Sequence, residues 1–410
     1  MADSLRCPGM RDMLPDEMGR FRRVEEAFRE VCLGWGYQEV RTPTIEHLHL
    51  FTLAGTLSPQ MLGRVYSFLD WDGWSGERVV LRPESTIPAA RLYVEELRGQ
   101  EVARLFYVQN VFRFMQGDQS REGWQCGVEL MGDTQPEGDI ELVLMGREVL
   151  ERLGLRPQVR LSHPGILRSV LARAGFDDAE QTALYDRILD GDLSALAEVR
   201  GRLPEVGASL ELLLGVDGEG VAYLNNVRSV FLSAIPDLER PLAELSLMVE
   251  ALEGMGCRCQ ISAALVRNFE YYTGTVLHFQ VDRQVVGSGG RYDSLISLVG
   301  GEATPASGFA LDATRLAEIL AGQEETGERS LIQVRPLGRD ASSLVAAFRV
   351  AVALRGQGWC VTVGGPDGRG QARWRVTAAP DGFTLGLGEE ERRLDSVEAV
   401  VRVLGEAGRG

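Results

Sequence analysis

Two strand-like runs joined by a polar segment constrain the fold of this chain more than any other feature. Between Arg104 and Gly132 the runs read RLFYVQNVFRF and GWQCGVELMG, and MQGDQSRE separates them. Aromatic and branched residues on both sides of a polar stretch are typical of two paired strands. We therefore predict a long-looped antiparallel hairpin here, and the rest of the fold must accommodate it.

Helical and strand patterns surround this hairpin. The first predicted helix has Pro15 in its opening turn and can end at Gly34, after which GYQEVRTP reads as a strand. Helical patterns cover Glu137 to Leu153 and Pro164 to Ala174, and a largely helical stretch follows to about Leu252. Strand character returns in CRCQISAAL, TVLHFQV and PASGFAL, and the glycine-rich GSGGRYD between them is interpreted as a plain turn.

A polar stretch separates the last part of the chain from the rest. Ala321 to Ser330, AGQEETGERS, is predicted to be a linker. Beyond it, LIQVRPLG, a helix-like run and WCVTV predict a small α/β domain. The predicted organisation is a core at residues 1–325, with a helical insertion at about 172–252, and a small domain at 326–410.

Composition excludes several classes of function. The chain contains no lysine, which rules out a P-loop lysine, a Schiff-base lysine and an ammonium nucleophile. A formal net charge of −16 repels polyanions at long range and argues against tRNA binding. The opening MADSLRCPGMRDMLP has no apolar signal stretch and the six cysteines are scattered, so we expect a cytoplasmic protein with no membrane insertion.

One strand of the hairpin has two chemically different faces. Because residues two apart in a strand share a face, Gln125, Gly127 and Glu129 point one way and the apolar residues between them point to the core. An amide and a carboxylate with a glycine between them leave room for a small molecule that carries amino or imidazole donors. A half-exposed strand face that only meets solvent fits the same pattern.

Two further segments carry candidate binding residues. LRPESTIPAAR places Glu84 and Thr86 at a strand-to-helix transition, where helix capping is the alternative to ligand binding. LVRNFEYYTGTV contains Arg267, Tyr271 and Tyr272, and an arginine there can pair with a carboxylate or can simply lie on the surface. The four histidines have no carboxylate at ligand spacing, so we predict no metal site, no cofactor and no catalytic residue.

Taken in order, these segments resemble the class II histidyl-tRNA synthetase family. The likeness covers roughly residues 5 to 320 and rests on GMRDMLP, GYQEVRTPTIEHLHLF, LRPEST, the hairpin runs, LVRNFEYYTGTV, GGRYDSL and ATPASGFAL. The resemblance implies an α+β fold, in which an antiparallel sheet is flanked by helices with a helical insertion. It also implies a homodimer that forms through the segment from Arg41 to Phe51, and a last domain like a reduced anticodon-binding domain.

The resemblance also implies a histidine-binding set. Family contacts to the backbone groups of histidine fall on Glu84, Thr86 and Gln125, and contacts to its imidazole fall on Glu129 and Tyr272, which follows Tyr271. Arg267 matches the arginine that meets the carboxylate and the activated phosphate. Arg113 matches the arginine that meets the phosphate of ATP.

This chain departs from the synthetases on the nucleotide side. Phe114, Met115 and the short GDQSREG replace a glutamate and a basic loop. Asp312 stands where the synthetases have glycine and Thr314 where they have glutamate, although Arg315 is in register. A carboxylate repels a triphosphate that must approach the backbone at this point.

These departures, with GVELMGDTQPEGDIELV, SHPGILRSVL and DGDLSAL, resemble the regulatory subunits of ATP phosphoribosyltransferase, which are non-catalytic synthetase paralogues. That resemblance implies a sensor of L-histidine that binds a short catalytic transferase chain and carries feedback in histidine biosynthesis. The alternatives are an active histidyl-tRNA synthetase and a free-standing paralogue that uses histidyl adenylate on another target. Both alternatives need ATP, and Met115, Asp312 and Thr314 argue against them.

Overall fold

The structure is a computed structural model that describes most of the chain. The described residues are 5–54, 63–71, 76–115, 119–132, 136–189, 192–202, 204, 214, 217–262, 265, 272–322, 331–365, 374–387 and 390–407. Arg267 and Tyr271 lie outside them, as does most of the predicted linker, residues 323–330. The chain divides into two compact units, residues 1–322 and 323–410.

The larger unit is built on a wide mixed sheet. Its strands are β1 Gln38–Glu39, β2 Ile45–His47, β3 Ser67–Trp71, β4 Gly76–Leu81, β5 Ala103–Phe112, β6 Glu122–Met131, β7 Gln158–Ser162, β8 Gly218–Glu219, β9 Cys259–Ile261, β10 Val276–Val281, β11 Gln284–Arg291 and β12 Ala306–Asp312. Among the described residues nine of these form one sheet in the order β1-β5-β6-β12-β11-β10-β7-β9-β8, and β2-β4-β3 form a small separate sheet. The four neighbours β5, β6, β12 and β11 pair antiparallel.

The predicted hairpin is confirmed and sits within the large sheet. β5 and β6 pair antiparallel along their whole length, with Tyr107 opposite Gly127 and Gln109 opposite Gln125. As the alternation predicts, the apolar face of β6 is fully buried in the core, where Cys126, Val128 and Leu130 pack. The opposite face of β6 is therefore the one available for chemistry.

Helices flank the sheet. In the larger unit they are α1 Pro15–Gly34, α2 Leu48–Leu53, α3 Thr86–Glu96, α4 Glu137–Arg152, α5 Pro164–Arg173, α6 Asp178–Leu189, α7 Leu193–Arg202, α8 Gly220–Phe231, α9 Glu239–Gly254, α10 Leu295–Leu298 and α11 Ala313–Ile319. The predicted helices beginning at Pro15, Glu137 and Pro164 are confirmed. Because Phe21, Val24 and Phe28 recur at helical spacing, α1 buries one apolar face against the sheet.

Two local predictions are corrected. GYQEVRTP forms a strand only at β1, since Pro43 has no backbone N–H and the chain then leaves for the small sheet. GSGGRYD is not a plain turn, because its glycines lie inside β11. A Cβ on Gly289 would come within 2.1 Å of the Gly308 carbonyl oxygen, so glycine there permits a close approach between β11 and β12.

The smaller unit has its own sheet and core. Its strands are β13 Leu331–Pro336, β14 Cys360–Val363, β15 Trp374–Ala379, β16 Gly382–Leu387 and β17 Glu390–Leu394, and its helices are α12 Ala341–Gly356 and α13 Val397–Ala407. The expected strand, helix and strand are present as β13, α12 and β14, and the two strands pair parallel. None of the described helices of the chain is long and apolar enough to cross a bilayer.

Candidate functional site

A cavity of about 710 Å³ opens on the polar face of the sheet. It is lined by the start of α3, the β5–β6 hairpin, Tyr272, β11, β12 and α11. The predicted residues that line it are Glu84, Thr86, Arg113, Gln125 and Tyr272. The structure thus brings together side chains from four separate sequence motifs.

Gln125 supplies an acceptor at this surface. Its side-chain Oε1 is buried and has no hydrogen-bond partner among the described residues. A buried amide oxygen without a donor costs free energy on the order of 1–3 kcal/mol. A ligand with an N–H group in the cavity would remove that cost.

Glu84 binds the first turn of α3. Its carboxylate accepts hydrogen bonds from the backbone N–H groups of Thr86 and Ile87, both at 2.9 Å. The capping alternative raised by the sequence is therefore correct, but each carboxylate oxygen keeps a second lone pair for a ligand. Burial raises the pKa of Glu84 to about 7, although these amide donors and the charge of Arg113 favour its ionised form.

Glu129 lies beneath the cavity and does not line it. Only 1% of it is exposed, so the alternative of a solvated strand face is wrong at this position. Tyr107 Oη donates to one carboxylate oxygen at 2.9 Å, Tyr292 Oη donates to the other, and the Thr86 side chain adds a third hydrogen bond. Burial raises the pKa of Glu129 to about 8, against the opposite effect of these three donors.

Tyr272 lines the cavity and lies near both buried carboxylates. Burial raises the pKa of its phenol, and the negative charges of Glu129 and Glu84 raise it further. Its ring lies over Gly290, where a Cβ would come within 2.8 Å of the ring. The phenol is therefore a neutral hydroxyl that can both donate and accept a hydrogen bond.

Sequence reasoning missed the two tyrosines that hold Glu129. Tyr107 stands directly opposite Gly127, and a Cβ on Gly127 would lie 2.2–2.4 Å from the phenol of Tyr107. The glycine therefore lets this phenol cross β6 to reach Glu129, a diagonal neighbour. The register of the hairpin places Tyr107 opposite Gly127, so this contact could have been predicted from the sequence. Tyr292 is recognisable in the sequence only as part of GGRYD, which does not indicate a contact with Glu129.

At the α11 end of the cavity, Asp312 and Arg315 bond to each other and to the backbone. Asp312 caps α11 by accepting from the Arg315 N–H at 2.9 Å, and its carboxylate lies 3.9 Å from the Arg315 guanidinium. Arg315 also donates to the Val285 carbonyl at 2.8 Å. Thr314 Oγ1 accepts from the Trp124 N–H at 3.1 Å. The cation that would hold a phosphate is thus engaged by the protein itself.

The β5–β6 loop forms a second set of contacts beside the cavity, which Met115 and Arg121 also line. Arg121 donates to the Met115 carbonyl at 3.0 Å and stacks 4.4 Å from the ring centre of Phe114. Tyr66 contacts the same ring edge to face at 5.7 Å. Phe114 is therefore held between Arg121 of the same loop and Tyr66 of the segment before β3.

The chemistry of the cavity is that of a binding site. It offers the buried carboxylate of Glu84, the amide oxygen of Gln125 and the neutral phenol of Tyr272 to a small molecule rich in N–H donors, and the charge of Glu129 lies beneath them. Within the described ranges no group of three or more His, Cys, Asp or Glu side chains could hold a metal ion. The arrangement favours recognition of a zwitterion with a cationic or N–H-bearing side chain.

Comparison with known proteins gives consistent results. The sequence model of the histidyl-tRNA synthetase family matches residues 9–316. The ATP phosphoribosyltransferase regulatory subunit of Dehalococcoides mccartyi (strain BAV1) is 44% identical over 401 residues, which is 94% of this chain and 96% of that protein. The histidine–tRNA ligase of Sulfolobus acidocaldarius is 33% identical over 356 residues, 85% of this chain and 82% of the ligase.

Solved structures agree at the level of the fold. A crystal structure from Bacillus halodurans, described as an ATP phosphoribosyltransferase regulatory subunit/histidyl-tRNA synthetase, aligns with a TM-score of 0.75 and 26% identity over 89% of this chain and 93% of that one. Histidyl-tRNA synthetase from Nostoc aligns with a TM-score of 0.76 and 18% identity, over 99% of this chain and 100% of that one, which supports the fold alone.

Proposed function

This chain belongs to the histidyl-tRNA synthetase family and, within it, to the regulatory subunits of ATP phosphoribosyltransferase, and on that basis we propose that it senses L-histidine. The predicted family and the predicted synthetase-like α+β fold are confirmed. The chain is accordingly a regulatory subunit and not an enzyme in its own right. An active histidine–tRNA ligase, the predicted alternative, is not retained.

The unpartnered acceptor of Gln125 carries the proposal of histidine binding. Its buried Oε1 faces a cavity that Glu84, Thr86 and Tyr272 also line. Zwitterionic histidine has an ammonium group and an imidazole N–H, which are the donors that these acceptors lack. In the proposed pose the ammonium group binds Gln125 and Glu84, and the imidazole binds towards Tyr272 and Glu129.

In the proposed pose an arginine binds the carboxylate group of histidine. Arg113 lines the cavity, its Nε donates to the Pro83 carbonyl at 2.8 Å, and its charge acts on Glu84. We assign it to the carboxylate end of histidine. Arg267 and Tyr271 lie outside the described residues and stay predicted members of the histidine-binding set.

The pairing of Asp312 with Arg315 supports the binding of histidine without its activation by ATP. Asp312 puts a carboxylate at the cavity and engages Arg315, so a triphosphate meets a negative charge and loses a cation there. We therefore propose that the chain forms no histidyl adenylate, and the net charge of −16 argues separately against a tRNA partner. The transferase chemistry belongs to a separate short catalytic chain with which this subunit assembles.

Feedback requires two states of that assembly. Histidine can inhibit only if it binds the less active state more tightly, and the coupling free energy equals the difference between the two affinities. A cavity on one chain and a reaction centre on another make this coupling allosteric. Binding and turnover can then be altered separately.

We also propose that the subunit is a homodimer through the segment from Arg41 to Phe51. β2 lies in this segment, and one face of the small sheet that contains β2 exposes Ile45 and Phe68. Exposed apolar side chains on one face of a sheet are typical of an interface.

Calorimetric titration of the purified chain with L-histidine, and separately with ATP, tests the proposal. Histidine should bind and ATP should not, and histidine-dependent exchange of pyrophosphate into ATP should be absent. Gln125→Leu should weaken histidine binding by at least about tenfold, since one charge-assisted hydrogen bond is lost. Gln333→Leu is the matched control, because Gln333 is also a buried glutamine whose Oε1 lacks a partner among the described residues, but it lies in the smaller unit.

Robust pyrophosphate exchange would contradict the regulatory assignment of the cavity. Equal loss of histidine binding in both glutamine variants would show a general effect on folding and would remove the evidence from Gln125. Mixing the chain with the short catalytic transferase chain, with and without histidine, measures assembly and feedback in the same preparation.

A further inference from the structure

Tyr107 is buried in the sheet, yet its hydroxyl reaches the carboxylate beneath the cavity. It is 1% exposed, and Oη donates to Glu129 at 2.9 Å. Burial and the charges of Glu129 and Glu84 raise the pKa of this phenol well above its ordinary value, so it acts only as a protonated donor. Like Glu129, it does not line the cavity of the empty subunit.

The backbone around this contact is shaped to allow it. Gly127 has no side chain, which leaves space for the phenol of Tyr107. A Cβ on Gly308 would lie 2.2 Å from Glu129 Oε2. One glycine on β6 itself and one on the neighbouring β12 thus leave one narrow place for the carboxylate. With a hydroxyl on each oxygen, Glu129 has its orientation fixed from both sides.

We propose that Tyr107 is a positioning residue for histidine recognition, which holds Glu129 in place beneath the cavity and favours the ionised form that attracts the imidazole N–H. This inference rests on the proposed histidine binding and adds a residue that acts through another. The hydrogen bond from Tyr107 adds to those from Tyr292 and the Thr86 side chain, and all three favour the ionised form of Glu129 in the empty subunit. Histidine binding is therefore linked to the release of a proton.

The charged and titratable groups that face Glu129 come from several elements. They are Glu84 before α3, Tyr107 on β5, Tyr272, and Tyr292 after β11, and Arg113 acts on Glu84. Burial raises the pKa of Glu129 to about 8 and that of Glu84 to about 7. Below these pKa values Glu129 and Glu84 are protonated in the empty subunit, and they must lose their protons before they can act as charged acceptors for N–H donors. The affinity for histidine therefore rises with pH between about 7 and 9.

Removing the Tyr107 hydroxyl should move that dependence in a known direction. Tyr107→Phe keeps the ring and removes one donor to the ionised carboxylate, so the pKa of Glu129 rises further, by about one unit. The midpoint of the affinity–pH profile should shift upward by the same amount. At pH 7.5 the affinity for L-histidine should fall about tenfold.

Tyr37→Phe is the matched control. Tyr37 is also a buried tyrosine whose hydroxyl donates to a carboxylate, Glu141, at 2.7 Å, but neither residue lines the cavity. Both variants should lose similar stability in urea. Only Tyr107→Phe should move the pH profile.

Calorimetry with L-histidine between pH 7 and 9 measures the profile, and infrared titration of the empty chain measures the ionisation of Glu129 against a Glu129→Gln reference. An unchanged midpoint in Tyr107→Phe, with a parent chain that binds histidine, would overturn the role of Tyr107 alone. If the parent chain binds no histidine, the proposed function fails, and the role in recognition fails with it. An upward shift in both measurements supports the inference.

Discussion

Glu129→Gln should weaken histidine binding and stabilise the empty subunit at alkaline pH, two effects of opposite sign from one carboxylate. The side chain is buried under the cavity floor, with three hydrogen-bond donors around it. Glutamine keeps the volume and removes the charge. A ligand N–H then loses a charge-assisted hydrogen bond, which costs about 1.5–3 kcal/mol, or roughly ten- to a hundredfold in affinity.

The stability effect follows from linkage. In the folded chain the pKa of Glu129 is raised to about 8, above its value of about 4.3 in an unfolded chain. A group with a raised pKa contributes stability that is fully present below the unfolded pKa and is lost as pH rises through the folded pKa. Each pKa unit corresponds to about 1.4 kcal/mol, so ionisation at pH 9 costs the parent chain a few kcal/mol, and the glutamine variant escapes that cost.

Two measurements decide the prediction. Calorimetry with L-histidine at pH 8 gives the loss in affinity, and urea unfolding at pH 6 and pH 9 gives the change in stability. Glu141→Gln is the control, since Glu141 also accepts a tyrosine hydroxyl but lies away from the cavity. Parent-like affinity together with parent-like stability at pH 9 would refute the reasoning, because a buried ionisable carboxylate under the ligand cannot give both.

Three more substitutions test Gly308 beside Glu129, Asp312 at the start of α11 and Phe68 on the small sheet. Gly308→Ala should abolish histidine binding in calorimetry, because its Cβ would lie 2.2 Å from Glu129 Oε2, whereas Gly19→Ala, with open space around it, should bind like the parent. Asp312→Ala should lower the free energy of unfolding in urea by about 1 kcal/mol, since it removes the cap of α11; an unchanged value would contradict the capping role. In light scattering across a dilution series the parent should be a dimer and Phe68→Asp a monomer, and a monomeric parent at micromolar concentration would count against the interface.

Sequence reasoning reached the face of β6 but not what surrounds it. Alternation along one strand is a local property, so the sides of Gln125 and Glu129 could be predicted from spacing. The depth of Glu129 depends on Tyr107 and Tyr292, which join it from β5 and from the residue after β11, and spacing within one motif carries no information about either.

The misread glycine segment shows the same limit. Glycines favour turns in an isolated sequence, and GSGGRYD was interpreted that way. Gly289 instead lies within a strand, and it must be glycine because the backbone of the neighbouring β12 leaves no space for a side chain. Such a requirement arises only when two distant segments pair. The capping role of Glu84, by contrast, was open from the start because its partners lie within three residues.

The cap at Asp312 has a consequence for any route from this subunit back to an enzyme. The carboxylate that occupies the nucleotide side also holds the first turn of α11 and pairs with Arg315. Restoring glycine there would remove a fold-stabilising group before Thr314, Met115 and the loop beyond had been changed to hold a nucleotide. Replacing Asp312 by glycine alone is therefore expected to lower stability without creating a nucleotide site.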